Sequence, residues 1–443
     1  MRVPTDRVTG FPERQSASWT TTKLRYLLKV NPAPSTELRS QGERAVPFIP
    51  MEALSEDGSL DQTLERPVKE VLTGYSYFEN GDVIMAKVTP CFENGKAALV
   101  HGLSEGGFGS TEITTLRARE GLAPGFLYYI VRSDHFRQAS IASMLGAGGL
   151  KRVPDELIRS FSTPVPPEAT QREVVDFLDR ETAKIDALIS KQEQLIASLR
   201  EDRAATITEA VTKGLDSSVE MRDSGVPWMG KVPAHWAVDR IKHSIAFARN
   251  GIWGAEPDGG RDDIRCIRVA DFDRPHLAID DRDMTFRKVT HSEREGRILQ
   301  RGDLLLEKSG GGEKSPVGFV VLYDRDEPAV CSNFVARISL APMQDPKFWT
   351  YVHHSLYQSR MTYPSIKQNT GIQNLDQQSY FNERVGFPPL EEQREIAGFL
   401  DAHCIRIDAL IEKSTQMIET LCKYRSALIT NAVTGKIDVR ETV

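Results

Sequence analysis

The loop Lys308-Ser309-Gly310-Gly311-Gly312-Glu313-Lys314-Ser315 joins the residue types of a phosphate-binding turn. It is not a nucleotide-binding Walker loop, because Glu313 stands where glycine must precede the lysine. A glycine-rich basic loop after a strand suits a nucleic-acid backbone instead. Glycine lets the main chain approach closely, while Lys308, Ser309 and Lys314 reach phosphate or base edges. Its counterpart earlier in the chain runs from Lys87 to Lys96. Arg249-Asn250-Gly251-Ile252-Trp253 offers a cation, an amide and an aromatic ring on one turn, groups that read or stack on bases. Lys367-Gln368-Asn369-Thr370-Gly371-Ile372-Gln373-Asn374 is rich in amides, the adenine-reading side chains, and Lys151-Arg152 lies at the matching place upstream. A solvated turn, a surface hairpin and a helix-capping turn are the plainer readings of these three stretches.

Other chemistry is missing from the pattern. No Asp…Glu-x-Lys nuclease set, HExxH or GxSxG occurs, and no catalytic constellation stands out. His353-His354 has no cysteine or carboxylate at ligand spacing, so a helix surface is expected there rather than a metal site. The five cysteines are scattered without a CxxC, which points to a reducing cytosol rather than to disulfides or zinc. No apolar run reaches the ~18 residues of a membrane span. The first residues lack the apolar stretch of a signal peptide. A cytoplasmic protein with no cofactor, metal or membrane contact is therefore expected.

The elements that must position these groups are duplicated. Residues 166–216 align without a gap on 388–438, with 25 of 51 positions identical. Pro166-Pro167, Gln171-Arg172-Glu173, Phe177-Leu178-Asp179 and Ile185-Asp186-Ala187-Leu188-Ile189 recur 222 residues later. Upstream the repeat is weaker: Gly81-Asp82 answers Gly302-Asp303, Gly149-Leu150 answers Gly371-Ile372, and Trp19 answers Trp236. Near-identity in one part and drift in the other imply shared contacts for the first and different contacts for the second.

The repeated segments read as long helices. Each follows a Pro-Pro pair and ends near a glycine, Gly214 or Gly435. Thr170-x-x-Glu173 reads as a capping box in the first copy. Ile185, Leu188, Gln192, Leu195 and Leu199 fall on heptad a/d positions, as do Ile407, Leu410, Ser414, Met417 and Leu421. A second row, Ile189 and Ile196 with Ile411 and Ile418, widens the stripe. These helices are expected to pair with each other, antiparallel, as a coiled coil about a pseudo-two-fold axis. Two core helices in separate domains are the alternative. The helical segments carry the whole charge excess, with 7 basic and 11 acidic residues in 166–216 and 7 and 9 in 389–443. The rest is balanced, 19 and 19 in 1–165 and 23 and 23 in 217–388, so a basic coat over the chain is excluded. Short apolar runs between Gly, Pro, Asn and Asp turns read as strands, giving two α+β domains.

The PPxxxQRE…FLDxxxxxIDALI pairs, the linker SGVPWMGKVPAHW, the Gly-Asp strand starts and Thr370-Gly371-Ile372-Gln373-Asn374-Leu375 together resemble the specificity subunits of type I restriction-modification systems, over the full chain. The N-terminal stretch TGFPERQSASW and Gly149–Val153 depart from the pattern of their partners. The resemblance implies a target recognition domain at 1–165, a spacer helix at 166–216, a linker at 217–236, a second target recognition domain at 237–388 and a second spacer helix at 389–443. It further implies a non-catalytic protein that reads one half of an asymmetric bipartite duplex DNA target with each domain. Two methyltransferase subunits would dock on the helices, and restriction–translocase subunits would join them. S-adenosylmethionine would be held by the methyltransferase subunits. The competing function is a coiled-coil adaptor that binds proteins and no DNA.

Overall fold

The computed structural model describes residues 19–439 except 148, 314 and 370. It divides into two compact units, Met1–Gln194 with Ser414–Val443, and Leu195–Lys413. Each unit therefore takes half of each long helix.

The first unit is built on two four-stranded sheets. One has the order Leu28–Val30, Ile113–Ala118, Val83–Ala86, Ala97–Leu99, all antiparallel. The other has the order Glu65–Pro67, Ala45–Ile49, Gly107–Gly109, Ser76–Phe78, its middle pair parallel. The second unit repeats this plan. Its four-stranded antiparallel sheet runs Ile245–Asn250, Val335–Leu340, Asp303–Glu307, Val320–Tyr323. Its three-stranded sheet runs Phe286–Lys288, Asp263–Ile267, Ala329–Cys331, the last pair parallel.

The Gly-Asp pairs open the buried central strands, and their carboxylates explain why. Asp82 accepts from the backbone N–H of Glu79 at 2.8 Å and from Arg117 Nε and Nη2, both at 2.7 Å. Asp303 accepts from the Gln300 N–H and from Arg337 Nε, both at 2.6 Å. One acid thus closes the turn and neutralises an arginine on the neighbouring strand, so a charge can be buried in a paired state.

The long helices span Glu168–Lys213 and Leu390–Val433. Both begin directly after Pro-Pro, with Pro167 and Pro389 carbonyls accepting from the Gln171 and Gln393 N–H groups. Thr170 therefore lies inside the first turn and cannot cap it, which corrects the capping-box expectation. Gly214 and Gly435 end the helices at φ 74° and 72°, a conformation that side chains with a Cβ resist.

In the first unit, Val174, Phe177, Leu178 and Ile185 pack with Leu428, Ile429, Ala432 and Val433, and with Phe126 and Ile130 of the helix Pro124–Arg132. In the second, Ile207, Ala210 and Val211 pack with Ile396, Ala397 and Leu400, and with Phe348, Trp349 and Val352 of the helix Pro346–Gln358. The early half of one helix thus meets the late half of the other, and the pair runs antiparallel.

The face used differs from the heptad expectation. Ile185, Ile407 and Ser414 are buried, and Gln192, Leu199 and Leu421 are half-buried. Leu188, Leu195, Leu410 and Met417 are exposed. The d positions are therefore not part of the pairing. The reason is the breadth of the partner: each helix faces the α+β body of its unit as well as the other helix, which turns the buried stripe toward the second row, where Ile189, Ile196, Ile411 and Ile418 are half-buried. His353 and His354, expected on a surface, are buried on the helix Pro346–Gln358. Burial pushes both imidazoles down to about 4.

Candidate nucleic-acid interface

In each unit a two-stranded hairpin is fixed to the loop that follows the buried central strand. In the first, Leu145–Ala147 pairs with Leu150–Arg152. Thr89 Oγ1 donates to the Gly149 carbonyl at 2.7 Å and accepts from the Lys151 N–H at 2.9 Å. The Val153 N–H donates to the Lys87 carbonyl at 2.8 Å. In the second unit, Ile366–Asn369 pairs with Ile372–Leu375. The Leu375 N–H donates to the Lys308 carbonyl at 2.8 Å, the Gly310 N–H to the Gln373 carbonyl at 3.0 Å, and Ser309 Oγ to Asn374 Oδ1 at 2.6 Å. Two sequence-distant candidate stretches thus meet at one tip in each domain: Lys87 and Thr89 with the hairpin Leu145–Ala147 and Leu150–Arg152, and Lys308, Ser309 and Gly310 with the hairpin Ile366–Asn369 and Ile372–Leu375.

Within the tips the candidates divide. Lys151 is exposed, and neither it nor the half-buried Lys87 and Lys308 forms an ion pair among the described residues. Arg152 is exposed but clamps Glu112 at 2.6 and 2.8 Å, and that hydrogen bonding holds the Glu112 carboxyl below the usual carboxylate range. Lys367 reaches Asp376 at 2.6 Å, which lowers that acid in turn. Lys96 donates to the Met51 carbonyl at 3.1 Å.

Ser309 and Gln373 are buried, and Gln373 Oε1 accepts from the Val317 N–H at 3.3 Å. Neither is free to read a base, because strand alternation turns Gln373 inward and Asn374 outward. Lys314 lies outside the described residues. Asn369 is placed by its backbone pairing with Ile372.

Of the third stretch, Asn250 joins the second tip, its Oδ1 accepting from Gln377 at 3.1 Å just beyond the hairpin. Arg249 instead donates to the Glu295 carbonyl at 2.6 Å. Trp253 stacks under Arg287, 4.5 Å from the guanidinium carbon to the ring centroid. Phe334, which no sequence signal marks, is exposed, and its backbone carbonyl accepts from the Lys308 and Ser309 N–H groups. Leu150 and Ile372, matched in the sequence only as equivalent positions of the repeat, are exposed beside the hairpin turns.

The residues identical in both copies hold each domain to the helices. Gln171 Oε1 accepts from the Ala123 N–H at 2.7 Å while Nε2 donates to the Gly121 and Pro166 carbonyls, both at 2.9 Å. Gln393 Oε1 accepts from the Asp345 N–H at 2.8 Å and Nε2 donates to the Pro388 carbonyl at 2.9 Å. Tyr129 donates to Asp179 at 2.6 Å and Tyr351 to Asp401 at 2.9 Å. Asp186 pairs with Arg425, and Asp408 with Arg203, across the helix pair. Identity at a fixed offset was the signal that marked them. Among the described residues no group of three His, Cys, Asp or Glu is placed to hold a metal, and no helix is long and apolar enough to cross a membrane.

Comparison with known proteins agrees with this construction. Residues 289–420 match the family model described as the type I restriction modification DNA specificity domain. The chain is 30% identical over 239 residues to the type I restriction enzyme EcoAI specificity subunit of Escherichia coli, and 31% identical over 214 residues to the EcoEI specificity subunit from the same organism. These alignments take in 51% and 47% of this chain but only 39% and 34% of the relatives, so the chain spans well under half of their length. A solved chain from work on complex assembly and conformational transition of the type I R-M system superimposes with a TM-score of 0.73 at 18% identity, covering 96% of this chain and 100% of its own. Over these stretches the chain is similar to specificity subunits of type I restriction-modification systems, and it shares the fold of the solved chain.

Proposed function

We propose that this chain is the non-catalytic subunit that sets the DNA sequence specificity of a type I restriction-modification complex. Each recognition domain reads one half of an asymmetric bipartite duplex target. The observation that carries this reading is the pair of tips. They share a backbone plan and differ in the side chains presented, Lys151 and Arg152 in one and Asn374 in the other. Equivalent placement with different groups is what two readers of unlike half-sites require.

The exposed apolar positions Leu188, Leu195, Leu410 and Met417 lie on the acidic helices, outside the pairing face. We infer that they dock two methyltransferase subunits, with restriction–translocase subunits joining that core in the cytoplasm. The methyl donor belongs to those partners.

Co-expression with the cognate methyltransferase subunit, followed by methylation mapping and gel shifts on random duplex DNA, tests the proposal. The expected result is one bipartite methylated motif and salt-sensitive binding. A complex that assembles yet binds no DNA even at low salt identifies an adaptor instead.

A further inference from the structure

Leu150 and Ile372 are half exposed, at 50% and 51%. They stand 222 residues apart, at the same place in the two hairpins, each just after a glycine with positive φ (83° at Gly149, 86° at Gly371). A Cβ added at either glycine would meet nothing within 4 Å, so both glycines face open space. Residues beside them have diverged: Lys151 against Gln373, Arg152 against Asn374. An aliphatic side chain at a turn gains little from folding when half of it stays in water. Its retention beside diverged polar neighbours marks a contact common to both domains.

Both hairpins are held rigid. Backbone and hydroxyl hydrogen bonds tie the first to Thr89 and Lys87 and the second to Lys308, Ser309 and Gly310. Lys87 and Lys151 border the first tip and Lys308 the second, so the surroundings favour a polyanion over an apolar protein face.

We propose that Leu150 and Ile372 are wedges. Each enters the DNA at one base step of its half-site and partly unstacks it. This rests on the reading of the tips as the DNA-facing surface and adds a means to it. Apolar side chains inserted between base pairs kink the duplex, and the cost of the kink depends on the step, so part of the specificity comes from deformation rather than from base contacts. A sequence-independent wedge with sequence-dependent neighbours explains why one position persists while those around it drift.

The test uses the assembled complex with its methyltransferase subunits. Target duplexes carry 2-aminopurine at successive positions other than the methylated adenine. Leu150→Ala should abolish the fluorescence rise in the first half-site only, and Ile372→Ala in the second only. Each should weaken specific binding on the order of tenfold and leave binding to random duplex unchanged. An abasic site at the unstacked step should restore wild-type affinity to the matching variant, a rescue that a merely structural role would not give. Specific binding with unaltered fluorescence in both variants overturns the wedge and leaves the proposed function standing. Loss of methyltransferase assembly in the variants assigns the tips to a protein contact and likewise overturns it. A wild-type complex without sequence-specific binding removes the proposed function, and the wedge with it.

Discussion

Ile185 and Leu188 are three residues apart on one helix, 5% and 47% exposed. Truncating each to alanine separates the face that pairs from the face that waits for a partner. Ile185 packs in the first unit's core. Its loss removes the transfer free energy of a nearly fully buried side chain and leaves a cavity, about 3 kcal/mol together. At ~2–4 °C per kcal/mol for a unit of this size, the melting temperature should fall by about 6–12 °C. Leu188 has already given half its surface to water, so its truncation should cost no more than about 1 kcal/mol. Thermal unfolding with chemical denaturation as a cross-check measures both. Titration of the methyltransferase subunit then completes the comparison: Leu188→Ala should weaken docking while Ile185→Ala, below its melting point, should not. Equal destabilisation by the two truncations would refute the assignment of faces, and undiminished docking by Leu188→Ala would refute the partner surface.

Gln171→Leu leaves the Ala123 N–H and the Gly121 carbonyl without their partner inside the joint. Stability should drop by about 3 kcal/mol in urea unfolding, with DNA-contact groups untouched. His353 and His354 are neutral in the folded chain down to about pH 4, whereas unfolded histidines protonate near 6.5. The unfolded state therefore binds more protons between those values. Stability should be level above pH ~7 and fall as pH drops from 6.5 to 4, by roughly 3 kcal/mol per histidine. Denaturant midpoints from pH 4.5 to 7.5 check this, and His354→Leu should halve the slope. Lys87→Ala and Lys308→Ala should each lower the salt dependence of DNA binding by about one unit of slope without altering the methylated motif.

The duplication made the architecture readable. Long helices after Pro-Pro, the matching domains and the Gly-Asp strand starts all follow from residues kept at one offset, because each meets the same obligation twice: Gln171 and Gln393 close a joint, Asp82 and Asp303 close a turn. The orientation of individual side chains was not readable. Heptad spacing names a stripe but not which edge of it a broad partner covers, so Leu188 and Met417 were placed in a seam they do not enter. Amide-rich spelling named Gln373 as a reader, yet strand alternation buries it and presents Asn374. Neither Trp253 nor Arg249 joins the hairpin, because Arg287 and the Glu295 carbonyl engage them first. Leu150 and Ile372 were legible as equivalent positions of the repeat but not as site residues, because an exposed aliphatic is visible only once burial is known.

The central claim is that the two variable domains are independent readers. Exchanging residues 20–165 for the matching segment of a family member with another target, and sequencing the methylated sites of cells that make the chimaera, tests it most directly. The account predicts that one half of the motif changes to that of the donor and the other half stays. A motif unaltered by the exchange, with the complex assembled and active, would contradict it.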